Sequence, residues 1–150
     1  MTHTARDPDF EARVRASFVR QAAMATIGAE IAHLAPGEVD LRMPHRAELT
    51  QQHGFMHAGI IGTLADSACG YAAYTLMPAD AAVLSVEYKL NLMAPAAGDA
   101  FVARARVKKA GRTLSVVTAD VFALRDGEER LIAAMQGTIM TMLDRPGLSG

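Results

Sequence analysis

Residues 51–74 read QQHGFMHAGIIGTLADSACGYAAY, and within them stands one charged side chain, Asp66. A carboxylate set in such a run can serve as a nucleophile or as a general base. At helical spacing its neighbours are Gly59, Gly62, Thr63, Cys69, Gly70 and Ala73, all small. Ile60, Ile61, Leu64, Ala68 and Ala72 make up the opposite, core-facing side. Each glycine inside a helix costs about 1 kcal/mol relative to alanine. Close approach by another helix or by a ligand would offset that cost. The same spacing also fits an ordinary solvated aspartate, although exposed helix faces usually carry Lys, Glu and Gln, and this one carries none.

The polar residues Gln51, Gln52, His53, Gly54 and His57 lead into this run. A helix that starts there exposes unbonded backbone N–H groups at the positive end of its dipole. Ala58 and Gly59 would present such groups to a developing oxyanion. His57 or His53 could equally do no more than cap the helix. The two histidines have the spacing of a zinc pair, but Gly54 makes 53–57 a poor helix. Neither an HExxH pattern nor a cysteine ligand supports a metal, so none is expected. Ala58 and Asp66 are separated by about 12 Å along a helix axis. Both cannot lie within ~3 Å of one reacting carbonyl. If they act together they come from two chains. Two antiparallel copies of the helix, packed through Gly59, Gly62, Asp66 and Gly70, would join them.

Other elements must hold this helix. Phe10, Val14, Phe18 and Ala22 recur at i, i+4 and predict a packed helix over 8–23. Residues 25–33 and 38–43 alternate apolar and polar around Pro36-Gly37, which predicts a hairpin. The central helix is expected to run about five turns, to Met77-Pro78. Residues 83–93 alternate strictly and predict a half-buried strand, with Leu84, Val86, Tyr88, Leu90 and Leu92 on one face. Ser85, Glu87, Lys89 and Asn91 take the other. Residues 100–109, 113–124 and 130–143 follow as strands, separated by turns at Gly111 and Asp126-Gly127, and the tail 144–150 is expected to fray. Strands joined by tight turns are antiparallel, so the class is α+β rather than a doubly wound sheet. One buried helix on a curved antiparallel sheet suggests the hotdog fold. So few strands leave exposed edges, and a second copy would cover one of them.

The chain has 150 residues, 51% hydrophobic and 21% charged, which suits one globular domain spanning its length. A formal charge of −1 gives no reason to expect nucleic acid or an anionic membrane as partner. Cys69, the sole cysteine, cannot form an internal disulfide and fits a reducing compartment. The charged N-terminus has no apolar core of a signal peptide, and no apolar run is long enough to span a bilayer. A cytoplasmic location is the expectation.

HGFMHAGIIGTLAD, followed by SVEYKLNLMAPA and KKAGRTLSVV, resembles the hotdog acyl-CoA thioesterases of the PaaI (phenylacetate-pathway) type over roughly residues 20–143. The resemblance implies thioester hydrolysis, with the acid of the Leu-Ala-Asp triplet, Asp66, as nucleophile or general base. The first glycine of the family's His-Gly-Gly lends its N–H to the oxyanion. Ala58 stands there, and its methyl narrows the space for substrate. The resemblance further implies a supporting role for His57, positioning of thioester or water by Gln51, and orientation of water by Ser85. It implies homodimers or dimers of dimers that grip acyl-CoA at their surface, with no separate cofactor. Lys89, Lys108, Lys109 and Arg112 are candidates for the CoA phosphates, although a solvated hairpin tip explains the last three equally well. A non-catalytic acyl-CoA-binding regulator is the rival, but the residues ahead of the first strand are too few for a DNA-reading module. A hotdog hydratase would pair its Asp with a His on another loop. Nine methionines and no tryptophan lean toward an adaptable aliphatic pocket.

Overall fold

Apolar alternation builds the sheet, and small residues let it close on a helix. The computed structural model describes residues 2–148. In chain order it has α1 (Phe10–Arg20), α2 (Ala22–Ile27), β1 (Glu30–Ala35), β2 (Glu38–Pro44), a 3-10 turn (Ala47–Leu49) and α3 (Ala58–Tyr74). The strands β3 (Ala82–Leu92), β4 (Ala100–Ala110), β5 (Leu114–Arg125) and β6 (Glu128–Met142) follow. The six strands form one antiparallel sheet in the order β1-β2-β4-β5-β6-β3. Val39, Leu41 and Met43 of β2, and Phe101, Ala103 and Ala105 of β4, are fully buried at every second position. They meet Ile61, Leu64, Ala65 and Ala68 of α3, which is in contact with all strands from β2 to β6. The sheet therefore curves around α3, and the architecture is the α+β hotdog fold.

Two of the tight turns show how they follow from their residues. Asp126 (φ 52°) and Gly127 (φ 80°) join β5 to β6 as a two-residue hairpin with both central residues at positive φ. Pro36-Gly37 joins β1 to β2, with Gly37 at φ 79°. The Gly37 N–H donates to the Thr75 hydroxyl at 2.7 Å, and that hydroxyl donates to the Ala72 carbonyl at 2.7 Å. The hairpin is thus latched to the C-terminal end of α3 by a fully buried threonine.

The N-terminal expectation needs correction. The helix expected over 8–23 breaks at Gln21, whose ψ of 94° is extended, and a second helix runs on to Ile27. The strand expected from residue 25 starts at Glu30. Met24 and Ile27 are buried one helical turn apart, and Gly28 at φ 70° caps α2 in the left-handed conformation. The alternation in ATIGAEIAH was thus the end of a helix joined to the start of a strand. Of the tail, residues 149–150 lie outside the described residues, and 144–148 are exposed beyond β6.

The N-terminal segment also clamps the end of α3. Arg13 donates to Asp7 Oδ2 at 2.7 Å and to the Met77 carbonyl at 3.0 Å, and its guanidinium lies 4.1 Å from the Tyr74 ring centre. Together with the Asp9 N–H, Arg13 holds the Asp7 carboxyl below the usual carboxylate range. A lowered folded-state pKa gives stability that is complete above the ordinary carboxylate value and lost as pH falls through the lowered one. Asp7→Asn is therefore expected to reduce stability at neutral pH and to match the wild type in strong acid. Urea midpoints measured against pH check this.

β3 differs most from expectation. It is an edge strand, paired only with β6, and it is largely exposed instead of half-buried. Leu84, Val86, Tyr88 and Leu92 are 49, 51, 48 and 57% exposed. Its strict alternation is also interrupted. Ser85 pairs with Ile139 and Glu87 with Thr138, so Val86 is an extra, bulged residue. The bulge reverses the phase of the strand. Ser85 faces α3, and so do Tyr88 and Leu90, which the alternation placed on the other side.

Candidate active site

The N-terminal end of α3 is a set of backbone donors held by a short loop. His57 is the N-cap, and its Nδ1 accepts the Gly59 N–H at 2.9 Å. The His57 carbonyl accepts from Ile60 and Ile61. Gly59's N–H is therefore committed to the cap, whereas that of Ala58 meets no acceptor among the described residues. The donor left for an oxyanion at this end is Ala58, the first helical residue. The loop is tethered by Met56 N–H to the Ala96 carbonyl (3.0 Å) and His57 N–H to the Leu49 carbonyl (3.0 Å). Gln51 Oε1 accepts the backbone N–H of His53 and of Phe55. Both partners are donors, so the oxygen must face them, and the Gln51 amide nitrogen is left to point elsewhere. Among the described residues no group of three His, Cys, Asp or Glu side chains could hold a metal.

Asp66 lies two turns further on. It is half-buried, and its Oδ1 accepts the Ser85 hydroxyl at 2.7 Å. The β3 bulge is what turns Ser85 onto the helix. One carboxylate oxygen is thereby fixed, and the other stays available. Cys69, one turn away, is buried, and burial first and the Asp66 charge second push its thiol up to about 12. It stays a neutral thiol at physiological pH and is no nucleophile.

Two clefts lie along α3, one at its N-terminal end and one beside its middle. One of about 420 Å³ lies at the N-terminal end, where Ala58 and Gln51 meet Met56, Ile61, Met93 and Ile132. The other, about 260 Å³, contains Asp66 and Ser85 with Gln21, Ser67, Gly70 and Tyr71. Sequence reasoning placed Asp66, Ser85, Ala58 and Gln51, and the structure sorts them into two separate clefts of one chain. It missed Gln21, whose position in the cleft depends on the break between α1 and α2. A glutamine inside a predicted helix gave no signal of that break.

The small-residue face is covered differently from expectation. Close approach by another helix or by a ligand was expected there. Instead Leu90 and Tyr88 of the same chain approach Gly62 to 3.5 and 3.9 Å of where a Cβ would stand. Gly70 has open space in that direction, and it lines the Asp66 cleft. The glycines make room for β3 and for a cleft.

The basic candidates do not form one cluster. Lys108, Lys109 and Arg112 are exposed on the β4–β5 hairpin, at the end of the sheet toward the C-terminus of α3. Lys89 is exposed on β3 opposite Gln136, further along the sheet.

Comparison with known proteins bears on this arrangement. The profile of the thioesterase superfamily matches residues 53–129, a span that holds His57, Ala58, Asp66 and Ser85. The chain belongs to the thioesterase superfamily. The structure of a thioesterase family protein from Silicibacter pomeroyi is 57% identical, covers 89% of this chain and 98% of that one, and superposes with a TM-score of 0.88. The phenylacetic acid degradation protein PaaI of Thermus thermophilus, solved as a mutant, is 27% identical with a TM-score of 0.71, covering 80% and 98%. A protein of Halobacterium salinarum provisionally named an esterase is 29% identical over 126 residues, 79% of this chain and 83% of that protein. Membership of this superfamily supports hydrolysis of a thioester as the general chemistry of the chain. No helix of this superfamily member, among the described residues, is long and apolar enough to cross a membrane.

Proposed function

We propose that this protein hydrolyses acyl-CoA thioesters to a free acid and CoA, in sites shared by two chains paired through β3. The observation that carries the proposal is the separation of the two clefts. Asp66 with Ser85 and the free N–H of Ala58 are about 12 Å apart along one helix, too far to serve one carbonyl. α3 and β3 run in opposite directions: Ala58 shares a cleft with Leu92, and Asp66 is bonded to Ser85. Gly62, midway between Ala58 and Asp66, faces Leu90 and Tyr88 near the middle of β3, 3.5 and 3.9 Å from where a Cβ would stand. A two-fold axis at that point would pair two β3 edges antiparallel and exchange the ends of α3. The Asp66 cleft of one chain would then face the Ala58 cleft of the other. The same pairing covers the exposed Leu84, Val86 and Tyr88, and it supplies the missing hydrogen-bond partners of an edge strand.

In such a site the thioester oxygen accepts the Ala58 N–H at the helix N-terminus, with the Gln51 amide beside it. Asp66 of the other chain, oriented by Ser85, takes a proton from water as the water oxygen bonds to the carbonyl carbon. The tetrahedral oxyanion collapses, the C–S bond breaks, and the proton held by Asp66 passes to the leaving CoA sulfur. His57 supports the donor by capping the helix. No cofactor enters, because CoA is part of the substrate, and the cytoplasm supplies it. Lys108, Lys109 and Arg112 sit at the Asp66 end of the sheet. Ala110 lies three strand spacings from Ser85, about 14 Å, so this hairpin is placed to meet CoA phosphates. Lys89, apart from it, would contribute singly. A further pairing of dimers would extend this surface.

A panel of acyl-CoA esters from acetyl through long-chain to aryl, read by release of free thiol, tests the proposal. Turnover with a preference among acyl groups is expected. Binding of acyl-CoA without thiol release would favour the non-catalytic alternative.

A further inference from the structure

A third cleft, of about 400 Å³, borders the loop that carries Gln51. Phe55 lines both this cleft and the one at Ala58. Around Phe55 stand His45, Asp99 and Arg125, with Ala97 and Gly98. The three ionisable side chains are exposed, and among the described residues none of them makes a side-chain hydrogen bond or ion pair. By contrast Arg13, Arg104 and Arg106 each hold a carboxylate. Asp99 and Arg125 thus share a cleft without meeting. Backbone bonds fix where they stand. The Asp99 N–H donates to the Leu124 carbonyl at 2.8 Å, and the His45 N–H donates to the Asp99 carbonyl at 2.9 Å.

We propose that this cleft binds a free α-amino acid with an apolar side chain, and that the bound amino acid activates the neighbouring site. Such a molecule presents a carboxylate, an ammonium and a hydrocarbon group from one carbon. Arg125 takes the carboxylate through its planar fork, with the His45 ring N–H beside it. Asp99 accepts from the ammonium, and Phe55 and Ala97 cover the hydrocarbon. A plain carboxylic acid would meet the like charge of Asp99, and a plain amine that of Arg125. The volume suits a molecule of this size. The cleft stands at the ends of β2, β4 and β5, which lie two to four strands in from β3. Pairing through β3 therefore leaves it accessible. The link to the active site is Phe55. Its N–H donates to Gln51 Oε1 at 3.3 Å, and its carbonyl accepts the Gln51 N–H at 2.9 Å. A ligand packed on the Phe55 ring thereby holds Gln51, whose amide lies beside the thioester oxygen in the proposed site. Binding is independent of the hydrolase reading, whereas the activation rests on it.

Isothermal titration calorimetry on the whole chain tests the site, with L-leucine, 4-methylpentanoate and 3-methylbutylamine as probes. Leucine is expected to bind. The other two, which each lack one charged group, should bind about tenfold more weakly, the scale of one hydrogen bond to a charged group. Arg125→Gln and Asp99→Asn should each weaken leucine by about the same factor and leave thiol release in its absence unchanged. With leucine present, kcat/KM for an acyl-CoA ester should rise about fivefold in the wild type, the lower end of usual coupling between sites. It should stay level in Arg125→Gln. Failure of leucine to bind, equal binding of 4-methylpentanoate, or leucine binding that neither substitution weakens overturns the site. Leucine that binds as expected but leaves the turnover of an active enzyme unchanged overturns the activation. A chain that binds leucine and hydrolyses no ester overturns the hydrolase reading and leaves the amino-acid site standing.

Discussion

Asp66→Asn is expected to lower kcat for acyl-CoA hydrolysis by about 100- to 10,000-fold, the range supplied by a positioned general base. The substitution is nearly isosteric. An asparagine carbonyl oxygen can still accept the Ser85 hydroxyl that now bonds Asp66 Oδ1 at 2.7 Å. What disappears is the capacity to take a proton from water at the second oxygen. α3 should remain intact, because Asp66 is half-buried in a cleft and the fold rests on Ile61, Leu64, Ala65 and Ala68 behind it. Unchanged circular dichroism and unchanged size in solution would separate a chemical loss from an unfolded chain. Ser85→Ala should cost less than Asp66→Asn, since it removes an orienting contact and leaves the carboxylate. Thiol release measured at saturating substrate reads both effects. Full activity in Asp66→Asn would remove Asp66 from the mechanism.

Much of the scaffold was legible in the sequence because strand alternation and helical spacing are strong signals where one face is buried. Val39, Leu41 and Met43 alternate in a strand buried on one side, and that strand was found. The failures occurred where local pattern competed with something distant. ATIGAEIAH alternates over too few residues to separate a short helix from a strand, and the burial of Met24 and Ile27 decided for the helix. In β3 every apolar residue was assigned to one face, since nothing in the letters marks Val86 as a bulge. The bulge matters most for the candidate site, because without it Ser85 would not point to the same side as Leu90 and Tyr88. The type and spacing of Asp66 and Ala58 were visible, and so was the conclusion that one chain cannot bring them together. The exposure of β3 was not visible. An edge strand with an apolar surface reads in sequence like a strand that its own chain has already covered.

The shared site can be tested by a mixture of two disabled chains. Ala58 is the first residue of α3, a position where proline is tolerated because its missing N–H has no helical partner. Ala58→Pro therefore removes the proposed oxyanion donor while sparing the helix, and loss of one such donor costs about 100- to 1,000-fold in kcat. Asp66→Ala removes the base. Each variant alone should be nearly inactive. In a mixed dimer with sites shared between chains, the Asp66→Ala chain lends its intact Ala58 N–H and the Ala58→Pro chain lends its intact Asp66. One of the two sites is then whole, and the other lacks both groups. Dual-tag purification isolates the mixed dimer, and thiol release per dimer is then compared with the wild type. Recovery of about half the wild-type rate is the expected result for a two-fold dimer. A purified mixed dimer no more active than its inactive parents would contradict the shared site.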